Sequence, residues 1–348
     1  ARRSATILSR PQNERHLPEA AAARYSPAMI TAQAETFPLR NPFTISRGSK
    51  TEARVVTAAV TRGGYRGWGE GLPYPRYGET VEEAIAAILS LPEGIDRLAL
   101  QTSMRPGAAR NAVDCALWHL EAKVSGKPVW QLAGLAAPKP VEIAFTLSLD
   151  TPENMCAAAA RNAHRAVLKV KLGTPADMPR IEAVRQGAPK VRLIVDANEG
   201  WTPEVYTDLA PHLIRLGVEM VEQPLPQGAD GMLAEIARPL PVCADESAHD
   251  AASLPGLVGK YDVVNLKLDK TGGLTEALRA KGEARRLGLR VMVGCMISTS
   301  LSMAPAILAA QGADWSDLDG PADMAQDRDH PIVYDDRHIH PASPLLWG

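Results

Sequence analysis

The chain has 348 residues, enough for a barrel of about 250 residues plus a smaller domain, and its 38 basic and 40 acidic residues leave a net charge of −2. That balance offers no basic surplus to nucleic acid or an anionic membrane, so small polar or zwitterionic ligands are expected. Cys115, Cys156, Cys243 and Cys295 lack C-x-x-C spacing and no apolar run reaches the length of a membrane span, a pattern of reduced, mostly buried thiols in a cytoplasmic protein.

Residues 1–28 carry Arg2, Arg3, Arg10, Arg15 and Arg24 but no apolar segment, and Glu14 and Glu19 dilute the basic pattern. They are expected to form a disordered extension rather than a secretory signal, with Met29 as an alternative start. Residues 29–138 read as an α+β capping domain. Val55-Val-Thr-Ala-Ala-Val-Thr followed by Arg62-Gly-Gly-Tyr predicts a hairpin, and residues 42–50 and 71–78 are loop candidates. Thr80 caps a helix from Val81, with Glu83 completing a capping box. Residues 108–123 place Ala112, Cys115, Ala116 and Leu120 at helical spacing, and Asp114 within them is expected to serve as a structural hydrogen-bond partner.

Residues 139–320 read as a barrel beginning near residues 141–146. In Val167-Leu-Lys-Val-Lys-Leu-Gly173, Lys169 and Lys171 are two apart in an alternating run and so project from one face of a strand. Asp196, Glu222, Asp245 and Lys267 then close successive apolar runs at steps of 27, 26, 23 and 22 residues. Each step accommodates a strand, a helix and two loops, which predicts parallel strands with crossover helices. In a (β/α) barrel the carboxyl ends of the strands meet at one face, so these positions surround a common point. The seventh strand, Leu289-Arg-Val-Met-Val-Gly294, ends in Cys295-Met296, and the eighth ends in Asp317-Leu-Asp319. Residues 321–348 lack periodicity and are expected to return over the first domain.

Asp196, Glu222 and Asp245 provide three hard oxygen ligands, a set suited to Mg²⁺. Zinc is disfavoured, because the eight histidines form no H-x-x-x-H pair and none ends a barrel strand. Two ammonium groups roughly 7 Å apart at an effective dielectric of about 20 repel by about 2.4 kcal/mol, which favours a neutral Lys171 able to act as a base. Lys267, four units round, faces it across the barrel mouth. A dication between opposed lysines suits removal of a proton α to a carboxylate through an enediolate. One lysine takes the proton, the other returns it to the opposite face, and the centre inverts.

This order of K-x-K, Asp, Glu, Asp and Lys resembles the enolase superfamily, in its muconate-lactonizing-like subgroup, from about Met29 to Asp319. Pro73-Tyr-Pro-Arg-Tyr-Gly-Glu79, Ala108-Ala-Arg-Asn-Ala-Val-Asp-Cys-Ala-Leu-Trp118, Ile194-Val-Asp-Ala-Asn-Glu199, Glu222-Gln-Pro-Leu-Pro226, Lys267-Leu-Asp-Lys-Thr-Gly-Gly-Leu-Thr-Glu-Ala277 and Gly294-Cys-Met296 are similar to segments of the L-Ala-D/L-Glu dipeptide epimerases. The resemblance implies an α+β capping domain over a (β/α)₇β modified TIM barrel, Mg²⁺ as cofactor, and 1,1-proton transfer at the second residue of an L-Ala-L-Glu-like dipeptide.

It further implies Lys171 and Lys267 as acid/base catalysts, Lys169 as supporting cation, and Asp196, Glu222 and Asp245 as metal ligands. Asp317 and Asp319 would grip the dipeptide's α-ammonium group, and Thr146, Cys295 and Met296 would line the pocket. Lys50 stands where close relatives carry an arginine that holds the glutamate side chain. It keeps the charge but loses the bidentate fork. An N-acylamino acid racemase, o-succinylbenzoate synthase or cycloisomerase is opposed by Asp317 and Asp319, since those substrates offer no free ammonium group. A mandelate-type racemase is opposed by the lack of a histidine at the seventh strand. A non-catalytic dipeptide-binding protein is opposed by the complete set of lysines and acids. A small-molecule dipeptide is the expected partner, with a homo-oligomer left open.

Overall fold

A computed structural model of the chain describes residues 28–348. The extension expected at the amino-terminal end falls, through residue 27, outside the described residues. Strands β1 (Met29–Ile45), β2 (Gly48–Arg62) and β3 (Tyr65–Gly71) form an antiparallel sheet in that order. The β2–β3 turn is Gly63-Gly64, with φ of +54° and +82°, the left-handed pair that a two-residue hairpin turn requires. Residues 42–50 are a paired hairpin end rather than the expected loop, with Phe43 opposite Lys50 and Ile45 opposite Gly48, turning at Ser46-Arg47. The register shifts between Pro38, opposite Glu52, and Phe43, so Pro42 falls in the irregular stretch and stays out of the ladder.

Helices α1 (Val81–Leu89), α2 (Arg97–Ser103) and α3 (Ala108–Ser125) cover this sheet. Thr80 Oγ1 accepts from the Glu83 N–H at 3.2 Å and donates to the Glu83 carboxylate at 3.0 Å, so the box closes through side chains. Gly67, Gly69 and Gly71 alternate along β3, and a Cβ on each would strike the backbone of Ala116, Ala112 and Ala108 respectively. Period two on the strand meets period four on the helix, so β3 and α3 pack backbone against backbone. Asp114, buried on α3, accepts from Gln101 Nε2 at 3.0 Å and the Thr275 N–H at 3.0 Å, as a structural partner should.

The second layer is a parallel sheet of eight strands, β5 (Ala144–Leu147), β6 (Val167–Lys171), β7 (Arg192–Asp196), β8 (Val218–Glu222), β9 (Val242–Ala244), β10 (Val263–Lys267), β11 (Arg290–Gly294) and β12 (Trp315–Asp317), neighbouring one another in chain order. Helices α4 (Pro152–Arg161), α5 (Met178–Gly187), α6 (Pro203–Arg215), α7 (Leu274–Arg286) and α8 (Ser300–Ala310) supply five of the seven crossovers. The β8–β9 and β9–β10 crossovers contain only the 3₁₀ turns Gly231–Ala234 and Leu254–Leu257. They correspond to the two shortest of the four sequence steps, 23 and 22 residues, and depart from the expected crossover helices. The capping sheet and this closed sheet make the molecule a (β/α)₇β barrel with an α+β cap.

Val141-Glu142 does not start the barrel. It forms a separate strand, β4, antiparallel to β13 (His338–Ile339). The seam between first and last barrel strands is closed by side chains: Thr146 Oγ1 donates to Asp317 at 3.2 Å, and the Thr146 N–H donates to Asp319 at 2.6 Å. Further along the chain, Arg328 pairs with Glu70 at 2.6 Å and Glu35 at 2.8 Å, and Trp347, 2 % exposed, donates to the Cys115 carbonyl at 3.1 Å. Among the described residues no helix is long and apolar enough to cross a membrane.

The β3–α3 contact yields a stability test. Gly69→Ala forces a methyl group against the Ala112 and Ala116 backbone, and is expected to cost about 1–3 kcal/mol, the usual range for overpacking. Urea unfolding checks this; an unchanged midpoint would show that α3 can retreat from the sheet.

Candidate active site

Strand alternation decides which side chains enter the barrel. Val167, Ile194, Met220, Cys243, Val263 and Met292 gather in an apolar cluster inside it, while Leu168, Val170, Leu193 and Val195 pack outward in the main core. Two residues further along the same inward faces, the chain at β6, β7, β8 and β9 reaches the mouth and turns ionisable, whereas β10 passes through Asn265 before Lys267 and β11 ends at Gly294. Lys169 and Lys171 follow Val167 in this way, Asp196 follows Ile194, and Glu222 follows Met220. All four are buried.

Asp196, Glu222 and Asp245 come together, with one carboxylate oxygen from each within 4.8 Å of the others. Lys169, fully buried, sits 2.7 Å from Glu222, 2.7 Å from Asp317 and 3.1 Å from Asp196. Lys171 bonds Asp196 at 2.7 Å and Lys267 bonds Asp245 at 2.7 Å. Strands β6 and β10 lie four places apart in a closed sheet of eight, so these two lysines approach from opposite walls. Both line a cleft of about 190 Å³ that also contains Lys50, Thr146, Cys295, Met296, Asp317 and Asp319. Lys169, Asp196 and Glu222 lie beneath it as a floor.

The electrostatics favour an added dication at the three acids. Burial, followed by the nearby Asp196 charge, pushes the Glu222 carboxyl up to about 7 even with Lys169 in contact. Burial also opposes ionisation of Asp196 and Asp245, yet Lys171 and Lys169 hold the first well below the carboxylate range, and Lys267 and Lys270 hold the second there. Burial alone would lower Lys267, but Asp245 raises it well above its ordinary value. Glu222 Oε2, although 2.7 Å from an ammonium group, makes no aligned hydrogen bond. Three buried carboxylates, one of them close to protonation at neutral pH and carrying an oxygen with no hydrogen bond, fit a hard divalent cation such as Mg²⁺.

Several residues at the site carry no chemical signal in the sequence. Lys270, fully buried, donates to Asp245 Oδ1 at 2.6 Å and to the Asn265 carbonyl at 3.0 Å, and Asn265 Nδ2 donates to Glu222 at 2.7 Å. Asn265 could have been found two residues before Lys267 on the inward face of β10. Lys270 lies in the short helical turn Leu268–Thr271, and no strand periodicity points to it. Arg47, Tyr74 and Tyr77 reach the cleft from the cap, and only the packed structure brings them there.

A (β/α)₇β barrel under an α+β cap, with three clustered acids between opposed lysines, defines a class of acid/base enzymes built around a carboxylate-held cation. Residues 28–134 match the model of the mandelate racemase / muconate lactonizing enzyme N-terminal domain, and residues 112–344 match that of the enolase C-terminal domain-like family. The chain therefore belongs to the mandelate racemase / muconate lactonizing enzyme family of the enolase superfamily. It is 43% identical to the L-Ala-D/L-Glu epimerase of Escherichia coli (strain K12), with 88% of this chain and 97% of that protein covered. It is 39% identical to the N-acetyl-D-glutamate racemase of a Pseudoalteromonas species, covering 84% and 95% respectively. A solved enolase family member from Agrobacterium tumefaciens, described as homologous to dipeptide epimerases and containing bound sodium and L-Ala-L-Glu, is 49% identical. It superposes with a TM-score of 0.89, covering 92% of this chain and 100% of that one.

Asp319 gives this site a pH signature. Burial, then the neighbouring Asp317, raises its carboxyl from the usual 3.8 to about 7. The folded protein thus holds that proton more tightly than the unfolded chain, and stability declines as pH rises from about 3.8 to about 7. Asp319→Asn keeps an acceptor for Thr146 and removes the ionisation. The variant is expected to melt higher than the parent at pH 8 and with it at pH 4, as read by thermal denaturation of metal-free protein. A gain of equal size at both pH values would show that Asp319 ionises normally in the fold.

Proposed function

We propose that this chain is a magnesium-dependent dipeptide epimerase, an isomerase that inverts the α-carbon of the second residue of L-Ala-L-Glu-like dipeptides by two-base proton transfer. The observation that carries the reading is the placement of Lys171 and Lys267 on opposite walls of one cleft above three clustered acids. Asp196, Glu222 and Asp245 would hold the metal. The chemistry supplied there when magnesium is bound is neutralisation of the charge that collects on the substrate carboxylate as its α-proton leaves. In one direction Lys171 takes that proton from its face and Lys267 delivers another from the opposite face; in the other direction the roles exchange. Lys169 adds fixed positive charge beneath the reacting carbon, and Lys270 keeps Asp245 in place.

Thr146, Cys295 and Met296 would shape the middle of the pocket. Lys50 Nζ lies 4.3 Å from the Tyr74 ring centroid, and none of the ion pairs among the described residues engages it. It would meet the second residue's side-chain carboxylate as a point charge. At the other end Asp317 and Asp319 would receive the substrate's α-ammonium group. The four cysteines are unpaired, in keeping with action in a reducing cytoplasm.

One observation favours a second reading, racemisation of N-acylated glutamate. Asp317 is already bound by Lys169, and Asp319 carries a proton until about pH 7, so this end of the cleft presents less negative charge than its two acids suggest.

Incubation with Mg²⁺ in D₂O separates the readings. L-Ala-L-Glu is expected to gain deuterium at the glutamate α-carbon and N-acetylglutamate to remain unlabelled. Label in N-acetylglutamate alone would favour the second reading, and label in neither would sink both. Chelation should stop exchange and Mg²⁺ should restore it. Lys267→Ala is expected to abolish inversion while leaving exchange from one epimer, because each lysine serves one face; wild-type inversion would remove Lys267 from the mechanism. Lys50→Arg restores a fork for the side-chain carboxylate and is expected to raise kcat/KM for L-Ala-L-Glu about threefold to tenfold, with no comparable gain for L-Ala-L-Leu.

A further inference from the structure

Glu199 is three residues beyond Asp196 yet points away from the acid cluster and up to the cap. Its carboxylate, 8 % exposed, receives Arg76 through both Nε at 3.0 Å and Nη2 at 2.6 Å, and Arg47 through Nη1 at 3.2 Å. The Gln227 N–H adds a bond at 2.7 Å. Arg47 forms the turn between β1 and β2, while Arg76 lies in the 3₁₀ turn Pro75–Tyr77, so one carboxylate grips both capping loops that line the cleft.

Arg47 also reaches the Asn198 carbonyl at 2.8 Å and Glu246 at 2.7 Å. It thereby braces the loops that follow Asp196 and Asp245. Ser46 packs on Gly173, where a Cβ would lie 2.7 Å from the serine Cβ, so the hairpin tip also rests on the loop following Lys171. The tip thus touches the loops behind three of the groups that make up the site.

The backbone beneath this contact is strained. Asn198 and Glu199 have φ of +44° and +67°, two successive left-handed conformations that non-glycine residues avoid. That pair of turns lets Asp196 face down into the cluster while Glu199 faces up to the arginines. Charge-assisted, bidentate bonds to a carboxylate that is itself nearly buried are the type that can hold such a conformation.

We propose that Glu199 is a positioning residue, the catch on which the hairpin tip and the second capping loop close over the cleft. Substrate lies between these loops and the barrel, and Phe43, Ile45, Lys50 and Tyr74 reach it only from the closed arrangement. Loss of the catch therefore weakens substrate binding and frees the tip, while the lysines and acids beneath keep their places.

Two variants and two readouts test this. Glu199→Gln and Arg76→Met each remove one partner, and trypsin can cut the tip after Arg47 and after Lys50. Each variant is expected to speed cleavage at those two bonds about tenfold relative to wild type, as a shift in the open population requires, with the melting temperature changed by no more than about 2 °C. KM for the labelled substrate should rise about tenfold and kcat should stay within about twofold, the pattern of lost binding rather than lost chemistry. The double variant should be no worse than either single one, because both break the same contact. Cleavage at the wild-type rate overturns the proposal. So does faster cutting throughout the barrel with a lower melting temperature, or a fall in kcat at unchanged KM. The cleavage arm needs no turnover, so it stands even where no dipeptide exchanges.

Discussion

Four ammonium groups and five carboxylates share the mouth of this barrel, nearly all of them out of water. Lys169, Lys171, Lys267 and Lys270 pair with Asp196, Glu222, Asp245 and Asp317, while Asp319 accepts from the Thr146 N–H. Buried charges are costly to desolvate, and such an arrangement persists only when every member is closely matched. Here the acids outnumber the bases, and the imbalance falls on Glu222 and Asp319, whose carboxyls both rise to about 7. Under the proposed function, a divalent cation among the three clustered acids would relieve the first, and the ammonium group of a dipeptide would relieve the second.

The barrel's regularity makes this cluster possible. Parallel strands in register bring their carboxyl ends to one rim, and alternation sends an apolar layer below and charges above. Asn265 and Lys270 then hold Glu222 and Asp245 from the side away from the cleft. Each acid has a neighbour fixing its direction, so the site keeps its shape through hydrogen bonds rather than through contact with substrate.

The cap contributes differently. Its sheet is locked to α3 by three glycines, and Arg328 ties the chain beyond the barrel to Glu70 and Glu35 on that sheet. From this rigid base two loops reach over the cleft and meet the barrel through arginines, while Lys50 lines the cleft from the same hairpin. On the proposed roles of Lys50 and of the Glu199 contact, binding preference and closure would reside on one short stretch of chain, a few residues apart.

Much of this was legible from residue order. The lysines, the three acids, Asp317 and Asp319 announce themselves because each ends a short apolar run, and strand periodicity is a local property that needs no partner to be read. The helix capped by Thr80 was legible for the same reason. The hairpin at residues 42–50 read as a loop because its pairing spans only three residue pairs beyond an irregularity at Pro38, and no local pattern reports so short a ladder. Val141-Glu142 looked like barrel because its apolar character continues into β5, whereas its partner lies nearly two hundred residues away at β13. Lys270, Arg47 and Glu199 gain meaning only by proximity: a lysine on a helical turn, an arginine in a hairpin tip and a glutamate after a strand are ordinary surface residues in sequence. The chain alone thus determined which residues could do chemistry, since strand alternation and strand-end position are short-range. Folding decided which neighbours orient them and what closes over them, because those contacts join segments that sequence spacing keeps apart.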